Sequence, residues 1–380
     1  MWITAATDPF GNRGELISRL YGMVGGTVDG HARLCAAAWL LDESELAVRL
    51  LRESLSRLRA PGVRGNSGAT LSALQWACID TGRWDEPLLA CREATDLAAA
   101  YKMEAVAASA SLATATVLAM RGGHDQVRPL VTSALATIDA TEYRGFAARA
   151  WHATGIAALA EGSYLTGYAQ LSQLFGADGA SLHHHVSYLG IADLAAAAVR
   201  AERHLEARRV VERALARVDS APGPRLDQLA ARARGLLAEP ADAESHVARA
   251  LSDPAGDAWP FERAQLQLDH GEWLRRQRRI NDAKPVLAAA LETFRRLGDA
   301  PGTRRAEAEL RACGVTAAAA PTAPGARRPH RAAPRDHLSR QPRADQRRDR
   351  RPAVPVALHR RLLPLLVLSQ AGHSGPPPAP

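Results

Sequence analysis

Three groups of residues in this 380-residue sequence are of types that could do chemistry. Gly62, Gly65 and Gly68, with Thr70 entering a helix, superficially resemble a phosphate cradle. The Gly-Lys-Ser/Thr end that grips phosphates is missing and no strand pattern precedes the glycines, so the segment reads as a connector. His183, His184 and His185 are metal-ligand types, but consecutive residues diverge by roughly 100° around a helix and no further ligand lies one turn away. The triplet reads as a polar turn that opens a helix. Trp39, Trp76, Trp84, Trp151, Trp259 and Trp273 could line a ligand groove, although in helical arrays large aromatics mostly fill the gaps between units. No G-x-S-x-G, H-E-x-x-H or paired-acid arrangement occurs, so no catalysis, metal or cofactor is expected.

The charge balance narrows the partners. Lys+Arg 48 against Asp+Glu 40 gives +8, which would suggest nucleic acid or an anionic membrane surface. Residues 317–380 hold twelve of the arginines and only three acids, a local +9, and the preceding body is left near neutrality with 36 basic and 37 acidic residues. The body therefore has no cationic excess with which to attract phosphate. Cys35, Cys78, Cys91 and Cys313 lie far apart with no C-x-x-C pair and read as small buried apolar residues. The N-terminus lacks a basic stretch followed by an apolar one, and apolar runs such as Leu362 to Leu368 are far short of the roughly 20 residues of a membrane helix. A cytoplasmic protein without a membrane partner is expected.

The elements that must position these residues follow from an internal repeat. Trp84 in GRWDE, His124 in GGHDQ and Tyr164 in EGSY occupy one slot at spacings of 40 and 40, with Ser44 another 40 residues earlier. Leu205 and, about two units later, Ile280 continue the series, and a weaker copy near Pro240 to Ala243 fills the gap. The period exceeds the roughly 34 residues of the tetratricopeptide unit and approaches that of HEAT and armadillo units, so long helical hairpins are predicted. Ala207, Val210, Val211, Ala214 and Leu215, and again Ala283, Val286, Leu287, Ala290, Leu291 and Phe294, form apolar stripes at helical spacing. One hairpin cannot bury such a stripe, whereas stacked neighbours can. Runs such as Ala195–Ala198 let helix axes approach closely. The predicted fold is all-α: a right-handed α-α superhelix, a tetratricopeptide-like solenoid over residues 31–316, with a lead-in over 1–30 and a disordered Arg/Pro-rich tail over 317–380.

Trp259-Pro260-Phe261-Glu262-Arg263-Ala264, Gly271-Glu272-Trp273-Leu274-Arg275-Arg276 and the stretch from Ala289 through Phe294 and Leu297-Gly298 to Arg311 resemble the last helical repeats of the large ATP-binding LuxR-type regulators of actinobacteria. Ile191-Ala192-Asp193-Leu194 resembles an earlier segment of that array, so the likeness covers roughly residues 30–314. The resemblance implies a sensor and scaffold region between an ATP-binding module and a DNA-binding helix-turn-helix. The first has no Walker loop in this chain, and the second is not encoded in the frame given, so neither ATP nor DNA contacts fall on any residue here.

Residues 344–357, ADQRRDRRPAVPVA, can be encoded so that a one-base shift reads LTNAEIGDRLFLS, similar to the helices of LuxR-type DNA-binding domains. The tail is thus expected to be an out-of-frame helix-turn-helix, and DNA binding to require the intact frame. What remains is a helical-repeat sensor or scaffold that binds a protein partner or small effector on its concave face, with Trp151, His152, His184 and Tyr188 as the candidate groove residues. A free-standing repeat adaptor and a DNA-binding protein acting through the basic tail are the two rival readings.

Overall fold

The computed structural model describes residues 2–11, 13–24, 28–58, 67–218, 222–239 and 241–315. The glycines 62 and 65 and the whole tail, with the expected frameshift, lie outside the described residues.

Two helices, α1 (Trp2–Thr7) and α2 (Arg13–Met23), precede a series of paired helices. The pairs are α3 (Val28–Leu40) with α4 (Ser44–Leu58), α5 (Ser67–Asp80) with α6 (Asp85–Tyr101), and α7 (Glu104–Arg121) with α8 (His124–Ala136). Next come α9 (Arg144–Glu161) with α10 (Tyr164–Leu171), a short α11 (Val186–Leu189), α12 (Ile191–Arg200) with α13 (His204–Leu215), and α14 (Pro224–Leu237) with α15 (Ala243–Ser252). The series ends with α16 (Pro260–Arg276) paired to α17 (Ile280–Leu297), and α18 (Ala300–Ala312). Among the described residues there is no strand, only an isolated bridge between Phe175 and Ser181. Among the described residues no helix is long and apolar enough to cross a membrane.

The 40-residue period is written into the turns. Ser44, His124, Tyr164 and Ile280 are each the first residue of a second helix, Trp84 directly precedes one, and Leu205 follows the first residue of another, His204. Two residues earlier the backbone turns left-handed, at Asp42, Gly82, Gly122, Gly162, Glu202 and Arg278. The amide that follows each of these donates five residues back, as Glu43 does to Ala38, Arg83 to Cys78, Gly123 to Leu118 and Ser163 to Ala158, each at 2.8 or 2.9 Å. This is the Schellman closure, which satisfies the last carbonyls of one helix and reverses the chain into the next within two residues.

The two helices of a hairpin have different surroundings. Every residue of α5 except Ser72 is buried, and α7, α9 and α12 are buried over most of their length, as helices apolar nearly all round must be. The second helices are amphipathic: α13 buries Ala207, Val211 and Ala214, and α17 buries Ala283, Leu287, Ala290, Phe294 and Leu297. Burying a side chain such as Phe294 is worth about 1.5–3 kcal/mol relative to leaving it in water. The first helices thus form an inner layer and the second helices an outer one.

The array also closes across its own inner face. Trp84 meets Phe261 edge-on at 5.1 Å, and the Trp259 indole donates to the Ser44 hydroxyl at 3.4 Å, 215 residues away in sequence. A Cβ at Gly82 would lie 2.8 Å from Pro260 and 2.9 Å from Leu297, and one at Gly122 would lie 3.1 Å from Pro301. The turns of the early hairpins therefore abut α16 to α18.

Candidate functional site

Closure of the inner layer gathers charged residues that belong to distant hairpins. Arg225 and Arg232 stand two turns apart on α14 and so share one face of it. Arg225 is enclosed by three carboxylates, with Nη1 at 3.1 Å from Asp42 and Nη2 at 2.9 Å from Asp80 and 2.7 Å from Glu262. Asp42 also receives His185 Nε2 at 3.1 Å, and Asp80 accepts the Trp39 indole N–H at 3.0 Å. Burial alone would raise the Asp42 carboxyl, but the facing His185 and Arg225 outweigh it and hold it at about 2. For Glu262 burial wins over Arg225 and the carboxyl is raised.

Arg232 anchors a second cluster. Its Nη1 lies 2.8 Å from Asp193 and its Nε 2.7 Å from Asp269, while His152 Nε2 sits 2.9 Å from the other oxygen of Asp193. Arg305, on α18, reaches Asp269 at 2.5 Å and also pairs with Glu272. Between the clusters lies Arg149 of α9, buried, with its guanidinium 3.9 Å over the Trp76 ring and 5.5 Å from that of Trp39. Its Nε and Nη2 have no hydrogen-bond partner, and burial pushes its pKa down to about 10, so it remains a cation at neutral pH.

Beside these clusters a cavity of about 490 Å³ opens on the inner face. Met120, Ile156, Phe261 and Phe294 supply apolar wall, and Arg200, Arg232, Arg304 and Arg305 supply the cationic part. A second cavity of about 330 Å³ lies beyond Arg200, Arg232 and Arg305, where His270 and Trp273 stack at 6.0 Å.

The four candidate groove residues are not brought together on one open surface. His152 is buried and committed to Asp193. Tyr188 is buried among Phe10 and Phe175, and its hydroxyl donates to the Ala214 carbonyl at 3.1 Å, which makes it part of the apolar core. Trp151 is half-buried against that same core, and half-buried His184 stacks on His183 at 4.1 Å. The histidine triplet does open a helix, α11, but as a buried knot: His183 Nδ1 accepts the amides of His185 and Val186 at 3.2 and 3.1 Å. Among the described residues no group of three His, Cys, Asp or Glu could hold a metal ion. Ser67, Gly68 and Thr70 are buried in α5. Trp39, Trp76, Trp84 and Trp259 are buried packing residues, while Trp151 and Trp273 are half-buried. The cysteines are free and buried, with burial pushing Cys35 and Cys78 up to about 12 and Cys91 up to about 11.

Sequence reasoning passed over Arg200, Arg225, Arg232, Arg304 and Arg305. One signal was present, since Arg225 and Arg232 interrupt the apolar side of an inner helix at a spacing of seven.

No protein-family model matches the chain, and no curated protein matches it. Among solved structures it is similar to a tetratricopeptide repeat protein from Parabacteroides merdae ATCC 43184, at 14% identity and a TM-score of 0.39, over 80% of this chain and 99% of that one.

Proposed function

We propose that this chain is the helical-repeat sensor and scaffold region of a LuxR-type transcriptional regulator, which binds a protein partner or small effector on its inner face and performs no catalysis of its own. The observation that carries this reading is the cavity of about 490 Å³ whose wall is shared by α7, α9, α10, α12, α14, α16, α17 and α18. A ligand there touches both halves of the closed array at once and so favours one closure over another, which is what a sensor must do. The stretch that resembles the regulators' last repeats, from Trp259 to Arg311, forms α16 to α18 and supplies one side of that cavity. In this reading residues 31–316 are the sensor array, 1–30 its lead-in and 317–380 an out-of-frame remnant of the DNA-binding helices, so sequence-specific DNA binding is lost.

Photo-cross-linking in cells tests it. A benzophenone amino acid placed at Ala160, on the cavity wall, should capture a partner or small molecule, whereas one at Leu89, exposed on the outer layer, should not. Adducts at position 89 alone would overturn the inner-face reading. The regulator assignment is checked at the nucleotide level, where codons over Ala344 to Ala357 that do not yield LTNAEIGDRLFLS in the shifted frame remove the frameshift.

A further inference from the structure

We propose that the inner-face cavity binds a small amphiphilic anion, with one carboxylate or phosphate head group held by Arg200 and Arg304 and an apolar body filling the space between α7, α9, α16 and α17. This rests on the reading of the inner face as a ligand-binding surface and adds the chemistry of what is bound.

The four arginines of the cavity are not equivalent. Arg232 is occupied by Asp193 and Asp269, and Arg305 by Asp269 and Glu272. Arg200 forms no ion pair among the described residues: its Nη1 donates to the Ala196 carbonyl at 3.2 Å, and its guanidinium carbon lies 5.9 Å from the centre of the Tyr164 ring. Arg304 is exposed and likewise has no ion-pair partner among the described residues. A guanidinium is a planar fork of donors suited to carboxylate or phosphate, and Arg200 and Arg304 line the same cavity. Burial and the nearby positive charges of Arg305 and Arg232 outweigh the favourable charges of Asp269 and Glu272 and lower the pKa of Arg200, so a bound anion would stabilise its charged form.

Three acidic residues also line the cavity. Asp193 is tied to His152 and Arg232. Asp299 accepts the Gly302 amide at 2.8 Å as the cap of α18, and burial raises its pKa to about 7, so much of its charge is removed near neutral pH. Glu161 is exposed and, among the described residues, has no ion-pair partner, as Arg200 and Arg304 have none. The remainder of the wall is apolar, with Met120, Ile156, Leu159, Phe261, Leu268 and Phe294. A cavity of this size falls in the range of roughly 300–1,000 Å³ that encloses small organic ligands. The lining thus pairs an apolar wall with two arginines that carry no ion pair among the described residues, which fits an acyl or aromatic acid or its phosphate counterpart better than a neutral polar molecule.

Isothermal titration of the full chain with decanoate, decyl phosphate, decanol and inorganic phosphate tests the proposal. At least one of the two anionic amphiphiles should bind tenfold or more tightly than decanol, with inorganic phosphate weak, and the preferred anion identifies the head group. The double variant Arg200→Gln/Arg304→Gln removes no ion pair and should lose tenfold or more in affinity while melting as the parent does by circular dichroism. Ala160→Trp, which narrows the cavity and touches neither charge, should weaken the same binding. Equal affinity for decanoate and decanol, unchanged affinity in the double variant, or no binding of either anion overturns the inference. A neutral molecule or protein captured from position 160 in the absence of anion binding would sink this proposal and leave the sensor reading standing. Anion binding without any inner-face adduct in cells would do the reverse.

Discussion

Arg225 and Arg149 are both buried guanidinium groups, and they hold opposite energetic positions. Arg225 neutralises carboxylates from three separate hairpins, so removing it leaves buried, uncompensated negative charge. Breaking such a pair typically costs about 3–5 kcal/mol. Arg149 has stacking partners but no carboxylate within bonding distance, and its own desolvation opposes folding. Arg225→Met is therefore expected to lower the urea midpoint by the equivalent of about 3–5 kcal/mol, and Arg149→Met by less than about 1 kcal/mol. Urea titrations of the two variants check the order, and an equal loss in both would contradict it. Asp299 gives a pH-dependent counterpart. Its folded pKa, at about 7, lies above its ordinary value near 3.8 because it is buried, so the folded state holds that proton more tightly and stability is lost as pH rises from about 4 to about 7. Asn caps a helix as well as Asp does and has no charge to bury. Asp299→Asn should raise the melting temperature at pH 8 and leave it nearly unchanged at pH 4, as differential scanning calorimetry would record.

At the scale of elements, the left-handed turn between the helices of a hairpin sets the architecture. It recurs at Asp42, Gly82, Gly122, Gly162, Glu202 and Arg278, at positions 40 apart until the last, which follows after about two units. Gly82 has φ +74° and no room for a Cβ beside Pro260 and Leu297. Gly82→Ala should thus cost more than the roughly 1–2 kcal/mol of left-handed strain alone. Glu202 carries the same strain at φ 57° with a side chain present. Relief of that strain exceeds the roughly 0.5–1 kcal/mol of extra chain entropy that glycine introduces, so Glu202→Gly should be neutral to stabilising by up to about 1 kcal/mol. Chemical denaturation of the pair gives the signs directly, and a stabilising Gly82→Ala or a strongly destabilising Glu202→Gly would show that the turn does not control hairpin closure.

At the scale of the whole molecule, an open solenoid couples each repeat to its neighbours alone, and its stability is nearly a sum of local terms. This array differs because Trp84–Phe261, Trp259–Ser44 and Arg225–Asp42 join hairpins far apart in sequence. Phe261→Ala is expected to reduce hydrogen-exchange protection in α5 and α6 as well as in α16 and α17. If the loss stays within α14 to α17, the closure contributes little to stability and the array behaves as an open one.

Local chemistry and period were legible in the sequence, and curvature was not. The slot occupied by Ser44, Trp84, His124, Tyr164 and Ile280 marks the starts of second helices because a turn of fixed length between helices of similar length repeats at fixed spacing. The stripe from Ala283 to Phe294 faces the core because helical periodicity places those residues on one side. The inner-face residues were a different matter. His185 meets Asp42 across 143 positions and Arg225 meets Asp42 across 183, and such encounters depend on small rotations accumulated over several hairpins, which no local pattern encodes. The same curvature committed His152 and Tyr188 to interior partners and left Arg200 and Arg304 at a cavity with no ion-pair partner among the described residues. Helix length, pairing and turn chemistry were thus determined by nearby residues and the short-range physics between them. Which charges are neutralised, and which remain free for a ligand, was decided by how the whole array closes.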